Sequence, residues 1–245
     1  MIEAASFVEA ARDRGFVRYT GVPCSFLTPL INYVINDDRL SYISSANEGD
    51  ALATAAGSAI GGERAIVMMQ NSGLGNAVSP LTSLVNVFRI PVLIITTLRG
   101  EPGIRDEPQH ELMGKITDKL FGIMQVPWEF FPTEASQLPA TMDRATQFMQ
   151  HERRPYGLIM KKGAVVPCEL TGTAIANRNI RADRRELSLS PGALPSRNSV
   201  LQKIISKTPE HDSVIIATTG YTGRELFALA DRNNHIYMVG SMGCA

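Results

Sequence analysis

Residues 64–100 read RAIVMMQNSGLGNAVSPLTSLVNVFRIPVLIITTLRG. The stretch opens on an almost entirely apolar run and closes on another, IPVLIITTLRG. A strand with one wet face alternates apolar and polar residues. A run that is apolar throughout suits a strand covered on both faces, as in a parallel sheet. Between the two runs, NSGLGNAVSPLTSLVNVF reads as a glycine-rich loop that feeds a helix. Strand, loop, helix and strand make a βαβ unit, and the flanking sequence repeats the pattern.

Working toward the N-terminus, NEGDALATAAGSAIGG is a helix of small residues suited to very close packing, and LSYIS before it is a strand. CSFLTPLINYVIND is a helix with Pro29 near its first turn. VRYTGVP is a short buried strand. Phe7, Val8, Ala11 and Phe16 suit a helix over 3–14 that Gly15 ends. Working the other way, GEPGIRDEPQHELMG is a polar loop at the carboxyl end of a strand. KITDKLFGIMQ and SQLPATMDRATQFMQHE are helices, and PYGLIMKKG is a strand. The expected fold is therefore α/β, a parallel sheet with helices on both faces, over residues 1–170. Periodicity then dissolves, and residues 171–195 read as a linker. Residues 196–245 open a second α/β unit: a helix (SVLQKIISKTP), a strand, a Gly/Thr turn and helix (TTGYTGREL), and another strand. Two strands rarely make a domain alone, so the natural chain is expected to continue.

Lys and Arg together number 24, as do Asp and Glu, so the net charge is zero. No basic tract is present, which argues against nucleic acid or an anionic membrane as the main partner. No apolar run reaches the roughly 18 residues that would span a bilayer. The N-terminus reads as an amphipathic helix and not as a secretory signal. Cys24, Cys168 and Cys244 are far apart, with no CxxC. That usage suits a reducing cytoplasm, without a disulfide frame or a zinc site.

Ligands of open parallel sheets collect at the carboxyl ends of the strands. Loops 20–26, 45–50, 70–76 and 97–112 all qualify, and all carry Gly, Pro or polar residues. Each alone is an ordinary strand–helix turn; together they favour a shared crevice. Asn47, Glu48 and Asp50 stand at a helix start, where acids and Asn cap the helix. Asp50 suits that role; Glu48 is a less usual cap. A carboxylate at a tight, dry junction is costly without a partner. NSGLGN could cradle an anion on its N–H groups, or simply allow close packing; it has neither the Lys-Ser/Thr of a P-loop nor a dinucleotide spacing. His110 belongs to an ionisable cluster with Arg105, Asp106 and Glu107. Cys24 has no His nearby in sequence.

In order along the chain, GVPCSFLTPLINYV, ANEGDALATAAGSAIGG, MMQNSGLGNAVSPLTSL, RGEPGIRDEPQHELMGKIT and TTGYTGREL…GSMGCA resemble the thiamine-diphosphate-dependent 2-oxoacid decarboxylases that act on phosphonopyruvate or sulfopyruvate. The resemblance implies a thiamine-diphosphate-binding fold. Residues 1–170 would be its pyrimidine-binding domain and 196–245 the start of its diphosphate-binding domain. The implied cofactors are thiamine diphosphate and Mg2+. The implied reaction is decarboxylation of 3-phosphonopyruvate to phosphonoacetaldehyde; the alternatives are the same reaction on sulfopyruvate, or a non-catalytic subunit. Glu48 falls on the acid that shares a proton with N1′ of the cofactor's aminopyrimidine. Asn71, Ser72, Gly73 and Leu74 would line that ring. Gly220, Tyr221 and Thr222 would lie near the diphosphate. Gly240, Ser241 and Met242 would also touch the cofactor, Gly240 through its carbonyl and Met242 as a buttress. His110 would handle the proton that replaces carbon dioxide. Cys24 and Ser25 stand where relatives often carry an acid, and Arg105 would pair with the substrate's phosphonate. The family's metal-binding Gly-Asp-Gly…Asn segment is absent from the 245 residues, so no metal ligand is expected among them. A homo-oligomer with sites between subunits is also implied.

Overall fold

The computed structural model describes residues 1–172, 192, 194–218 and 220–238. The chain divides into two compact units between Thr171 and Gly172. In the first, β1 (Phe16–Gly21), β2 (Ser41–Ser44), β3 (Arg64–Met69), β4 (Leu93–Thr97), β5 (Trp128–Phe130) and β6 (Tyr156–Met160) form one sheet. Its order is β2-β1-β3-β4-β6-β5, and every pair is parallel. The expected α/β fold is borne out. Strand residues alternate between the two faces. Ile66, Met68, Leu93 and Ile95 join Phe7, Leu30 and Met142 in one core. Those last three belong to α1 (Ala4–Arg12), α2 (Thr28–Asn36) and α6 (Leu138–Glu152). Ala65, Val67 and Ile94 are fully buried on the other face.

That second face is covered in part by α3 (Glu48–Ile60), which packs on β1 and β3. Ala51, Leu52 and Ala55 of α3 are fully buried, and the small size of the two alanines brings the helix close to the strands. After β3, a 3-10 turn over Asn71–Gly73 leads into α4 (Leu74–Ser79). Pro80 has no N–H to give the Asn76 carbonyl. The chain then winds through a π-helical turn, Pro80–Val85, instead of the regular helix expected there. The loop after β4 ends in α5 (Glu111–Ile123). The strand β5 is absent from the sequence reading, which passed from helix to helix across it.

The second unit contains α7 (Arg197–Lys207), β7 (Ile215–Thr218), α8 (Tyr221–Leu229) and β8 (His235–Met238). Ser196 caps α7 by accepting from Ser199 N at 3.1 Å. β7 and β8 are parallel, with Leu201, Ala217 and Leu226 as their core. The expected linker lies almost entirely outside the described residues. Among the described residues no helix is long and apolar enough to cross a membrane.

Candidate active site

Beside β1 the strand order changes direction, since β2 lies on one side and β3 on the other. Such a switch point opens a crevice at the carboxyl ends of the strands. The strands are drawn tight there: a Cβ on Gly21 would lie 2.1 Å from the Met68 carbonyl oxygen.

Glu48 enters this crevice from the first turn of α3. It is not the cap. Asn47 Oδ1 accepts from Asp50 N at 3.0 Å, and Asn47 Nδ2 donates to Asp50 Oδ2 at 2.7 Å. Asn47 therefore caps the helix, and its side-chain amide is held in place by the Asp50 carboxylate. Glu48 is left free to turn inward, and it is 9% exposed. Asn76 Nδ2 donates to Glu48 Oε2 at 2.8 Å. Oε1 accepts no hydrogen bond from a described residue. It rests against Gly73, where a Cβ would come within 2.1 Å of it. One oxygen is thus fixed, and the other is offered to a ligand beside a backbone bare of side chain. A ring that shares a proton with a carboxyl oxygen fits that arrangement.

The crevice continues along β3 and β4. Asn71 is fully buried. Its Nδ2 donates to the Arg99 carbonyl at 2.8 Å and to Thr117 Oγ1 at 3.0 Å, and its Oδ1 accepts from Arg99 N at 3.2 Å. Asn71 therefore clamps the loop after β3 to the loop after β4 and to α5. Leu74 is buried, whereas Ser72 is exposed and accepts from Gln70 Nε2 at 2.5 Å. Cys24 is buried and donates to Gln70 Oε1 at 3.4 Å, with Thr97 Oγ1 at 3.9 Å.

Arg99 lies just past β4. Its Nε and Nη2 donate to the Asp106 carboxylate at 2.7 and 2.5 Å. Its Nη1 is 3.5 Å from Ser25 Oγ, and its guanidinium carbon stands 4.8 Å from the centre of the Phe26 ring. Asp106 also accepts from the N–H groups of Gly100 and Glu107 at 2.9 and 2.8 Å. Arg99 foremost, and then these N–H groups, hold the Asp106 carboxyl well below the usual carboxylate range. His110 closes the loop. It is 8% exposed, and its Nδ1 has no partner among the described residues. Gly100 has φ +74° and lies against the His110 carbonyl, and Gly114 of α5 lies against the Gly100 carbonyl.

The structure thus brings together Glu48, Asn71, Gly73, Leu74, Cys24 and Ser25 through direct contacts or one shared neighbour. Arg105 is exposed and forms no ion pair among the described residues. Gln70, Asn76 and Arg99 are site neighbours that the sequence reading missed, and Asp106 entered it only as a member of the ionisable cluster around His110. Arg99 was within reach of the rule that picked out its loop, since it follows an apolar strand directly. In the second unit, Gly220 has φ +98° and precedes α8, and Tyr221 is exposed beside Arg197 and Arg224. Gly220, Gly223, Arg224 and Phe227 help to line a cavity of about 320 Å³. Thr222 is half-buried in the first turn of α8. Gly240, Ser241 and Met242 lie outside the described residues.

Residues 3–120 match the family model described as thiamine pyrophosphate enzyme, N-terminal TPP binding domain. Across all 245 residues the chain is 40% identical to a phosphonopyruvate decarboxylase of Streptomyces viridochromogenes, and it spans 62% of that relative's length. Over 117 residues, 48% of this chain, it is 32% identical to the sulfopyruvate decarboxylase subunit alpha of Methanothermobacter thermautotrophicus, of which it covers 70%. Among solved structures, the thiamine diphosphate-dependent 4-hydroxybenzoylformate decarboxylase of Rhodococcus jostii RHA1 matches with a TM-score of 0.51 at 20% identity. That match covers 89% of this chain and 39% of the other, and it speaks to the fold alone.

Proposed function

The chain belongs to the thiamine-diphosphate-dependent 2-oxoacid decarboxylases, the family of the phosphonopyruvate and sulfopyruvate decarboxylases, and on that premise we propose that it serves the decarboxylation of 3-phosphonopyruvate to phosphonoacetaldehyde and carbon dioxide. The observation that carries the reading is Glu48, buried at the strand ends with one oxygen held by Asn76 and the other left open beside Gly73. The 40% identity to a phosphonopyruvate decarboxylase over all 245 residues favours the phosphonate over the sulfonate, since a sulfopyruvate decarboxylase that aligns over 243 residues is 25% identical.

In this reading Glu48 holds and gives up a proton at Oε1. Asn76 fixes the plane of the carboxyl group through Oε2. Gly73 lets the ring approach, and Asn71 holds the two loops at a set distance. Thiamine diphosphate, bound with Mg2+, would supply the electron sink that lets the carboxylate leave as carbon dioxide. His110, with Nδ1 unspent in a buried place, is the group that delivers a proton to the carbon carbon dioxide has left. Cys24 and Ser25 line the substrate side. Gly220, Tyr221 and Thr222 would serve the diphosphate end, together with Gly240, Ser241 and Met242. We further propose a cytoplasmic homo-oligomer.

The test is release of carbon dioxide from 3-phosphonopyruvate, sulfopyruvate and pyruvate at equal concentrations, with thiamine diphosphate and Mg2+ present. 3-Phosphonopyruvate is expected to be turned over fastest. Faster release from sulfopyruvate would reassign the substrate, and no release from any of the three would refute the reaction.

A further inference from the structure

We propose that Arg99, and not the loop residue Arg105, holds the second anionic group of the substrate. The inference rests on the substrate class proposed above, a 2-oxoacid that carries a phosphonate. It starts from the geometry of one guanidinium. Asp106 occupies Nε and one hydrogen of Nη2, and the Phe26 ring lies beside the guanidinium. Two flanks are thereby fixed, and the plane of the fork is set. A guanidinium has five N–H donors in rigid array. After Asp106 is served and one Nη1 hydrogen goes to Ser25 Oγ at 3.5 Å, two remain side by side, one on Nη1 and one on Nη2. Nη1 is the atom near Ser25 Oγ, at the edge of the crevice that also holds Cys24 and Gln70.

The side chain of Arg99 is 17% exposed. It is withdrawn from bulk water yet still reachable, where a charge-assisted hydrogen bond gains most. Adjacent donors of a planar fork match two oxygens of a phosphonate, which a lysine ammonium does not. Asp106 already accepts four hydrogen bonds, so its oxygens are turned away from any arriving anion. Its part is to position Arg99. The other cations of these loops are less apt. Arg105 is exposed with no ion pair among the described residues, and Lys161 is committed to Glu101 at 2.5 Å. Asn71 adds the last constraint, because it grips the backbone of Arg99 from both sides and fixes the root of the side chain.

The test uses 3-phosphonopropanoate, which keeps the carboxylate and phosphonate but has no 2-oxo group to react. Its binding to the full chain is titrated by calorimetry, with propanoate as the probe lacking the phosphonate. Arg99→Gln is expected to weaken 3-phosphonopropanoate roughly tenfold or more, the loss of about one charge-assisted hydrogen bond, and to leave propanoate unchanged. Arg99→Lys, which keeps the charge without the fork, is expected to fall between. Asp106→Asn keeps the guanidinium but loosens it, and should weaken the same probe; it decides the matter if Arg99→Gln does not fold. In turnover, KM for 3-phosphonopyruvate should rise in Arg99→Lys while kcat/KM for pyruvate holds. Wild-type binding of the phosphonate probe in Asp106→Asn and Arg99→Gln overturns the proposal. So does a loss confined to Arg105→Gln, or a wild-type chain blind to the phosphonate. If the probe binds through Arg99 but no 2-oxoacid is decarboxylated, the reaction fails and the anion site stands.

Discussion

Gly73→Ala is the substitution that most directly probes the placement of Glu48. Gly73 has φ −71° and ψ −15°, a conformation any L-residue adopts, so the backbone itself does not object. The added carbon does. It would lie 2.1 Å from Glu48 Oε1 and 2.2 Å from Cδ, roughly 1 Å inside the 3.0 Å that real Cβ contacts respect. The three nearest atoms all belong to this one side chain, Cγ included at 2.4 Å, so it must swing aside as a whole into another rotamer, and the fold survives. The swing breaks the bond from Asn76, worth about 1.5–3 kcal/mol for a charged acceptor. Alanine returns about 0.4–1 kcal/mol by narrowing the unfolded ensemble. The net cost is on the order of 1–2 kcal/mol, a melting point lower by roughly 2–8 °C for a unit of this size. Turnover suffers far more, because a proton-transfer group displaced by about 1 Å loses on the order of 10²-fold. Gly75→Ala is the matched control, since nothing lies within 4 Å of its added Cβ. It is expected to leave activity unchanged and stability equal or slightly higher. Steady-state rates and thermal melts of the two variants decide it. Gly73→Ala retaining activity within twofold, or Gly75→Ala losing as much, would refute the contact as the cause.

Three further outcomes are expected. Glu48→Gln should lower turnover by roughly 10²–10⁴-fold with a melting point close to wild type; near-normal activity counts against the proton role. Asn71→Leu strands the half-buried Arg99 N–H and carbonyl, while Thr117 Oγ1 keeps its bond to the Met113 carbonyl, and should cost about 2 kcal/mol or more by urea unfolding; a loss under 1 kcal/mol would mean water replaces the clamp. Asp106 has its folded pKa depressed from an ordinary 3.8, so its contribution is complete above about pH 4 and fades as pH falls through the folded value. Asp106→Asn should therefore differ from wild type most at pH 7 and less at pH 3 in urea melts; a gap independent of pH contradicts the ion pair.

Most of the sheet was legible because its inner strands are apolar on both faces. Strand β5 was not: it is three residues long and lies at the sheet edge, with Trp128 and Glu129 only half-buried and Pro127 and Pro132 close by. Glu48 could be found because a carboxylate at a tight strand–helix junction is odd in itself. Its partner Asn76 could not, since the contact joins positions 28 residues apart and leaves no local spacing. The same separation hides the Asn71–Arg99 clamp. Arg105 stood out as part of a charged cluster, while Arg99 sat unremarked at the end of an apolar run. Charge clustering along the chain favours solvated residues; the cation with a structured setting is the one folded back on the sheet.

The wide turn at Pro80–Val85 has one more implication. A π turn is equivalent to a single extra residue in a helix, and it rotates the turns on its two sides relative to each other by about 100° around the axis. Leu84 and Val85 anchor its last residues in the protein interior, while Asn76 is aimed at Glu48 before it. The bearing of that amide is therefore governed by how many residues lie between the two anchors, whatever their identities. Exchanging side chains one at a time along 80–85 would overlook this; excising one residue would straighten the helix and swivel the amide off its target.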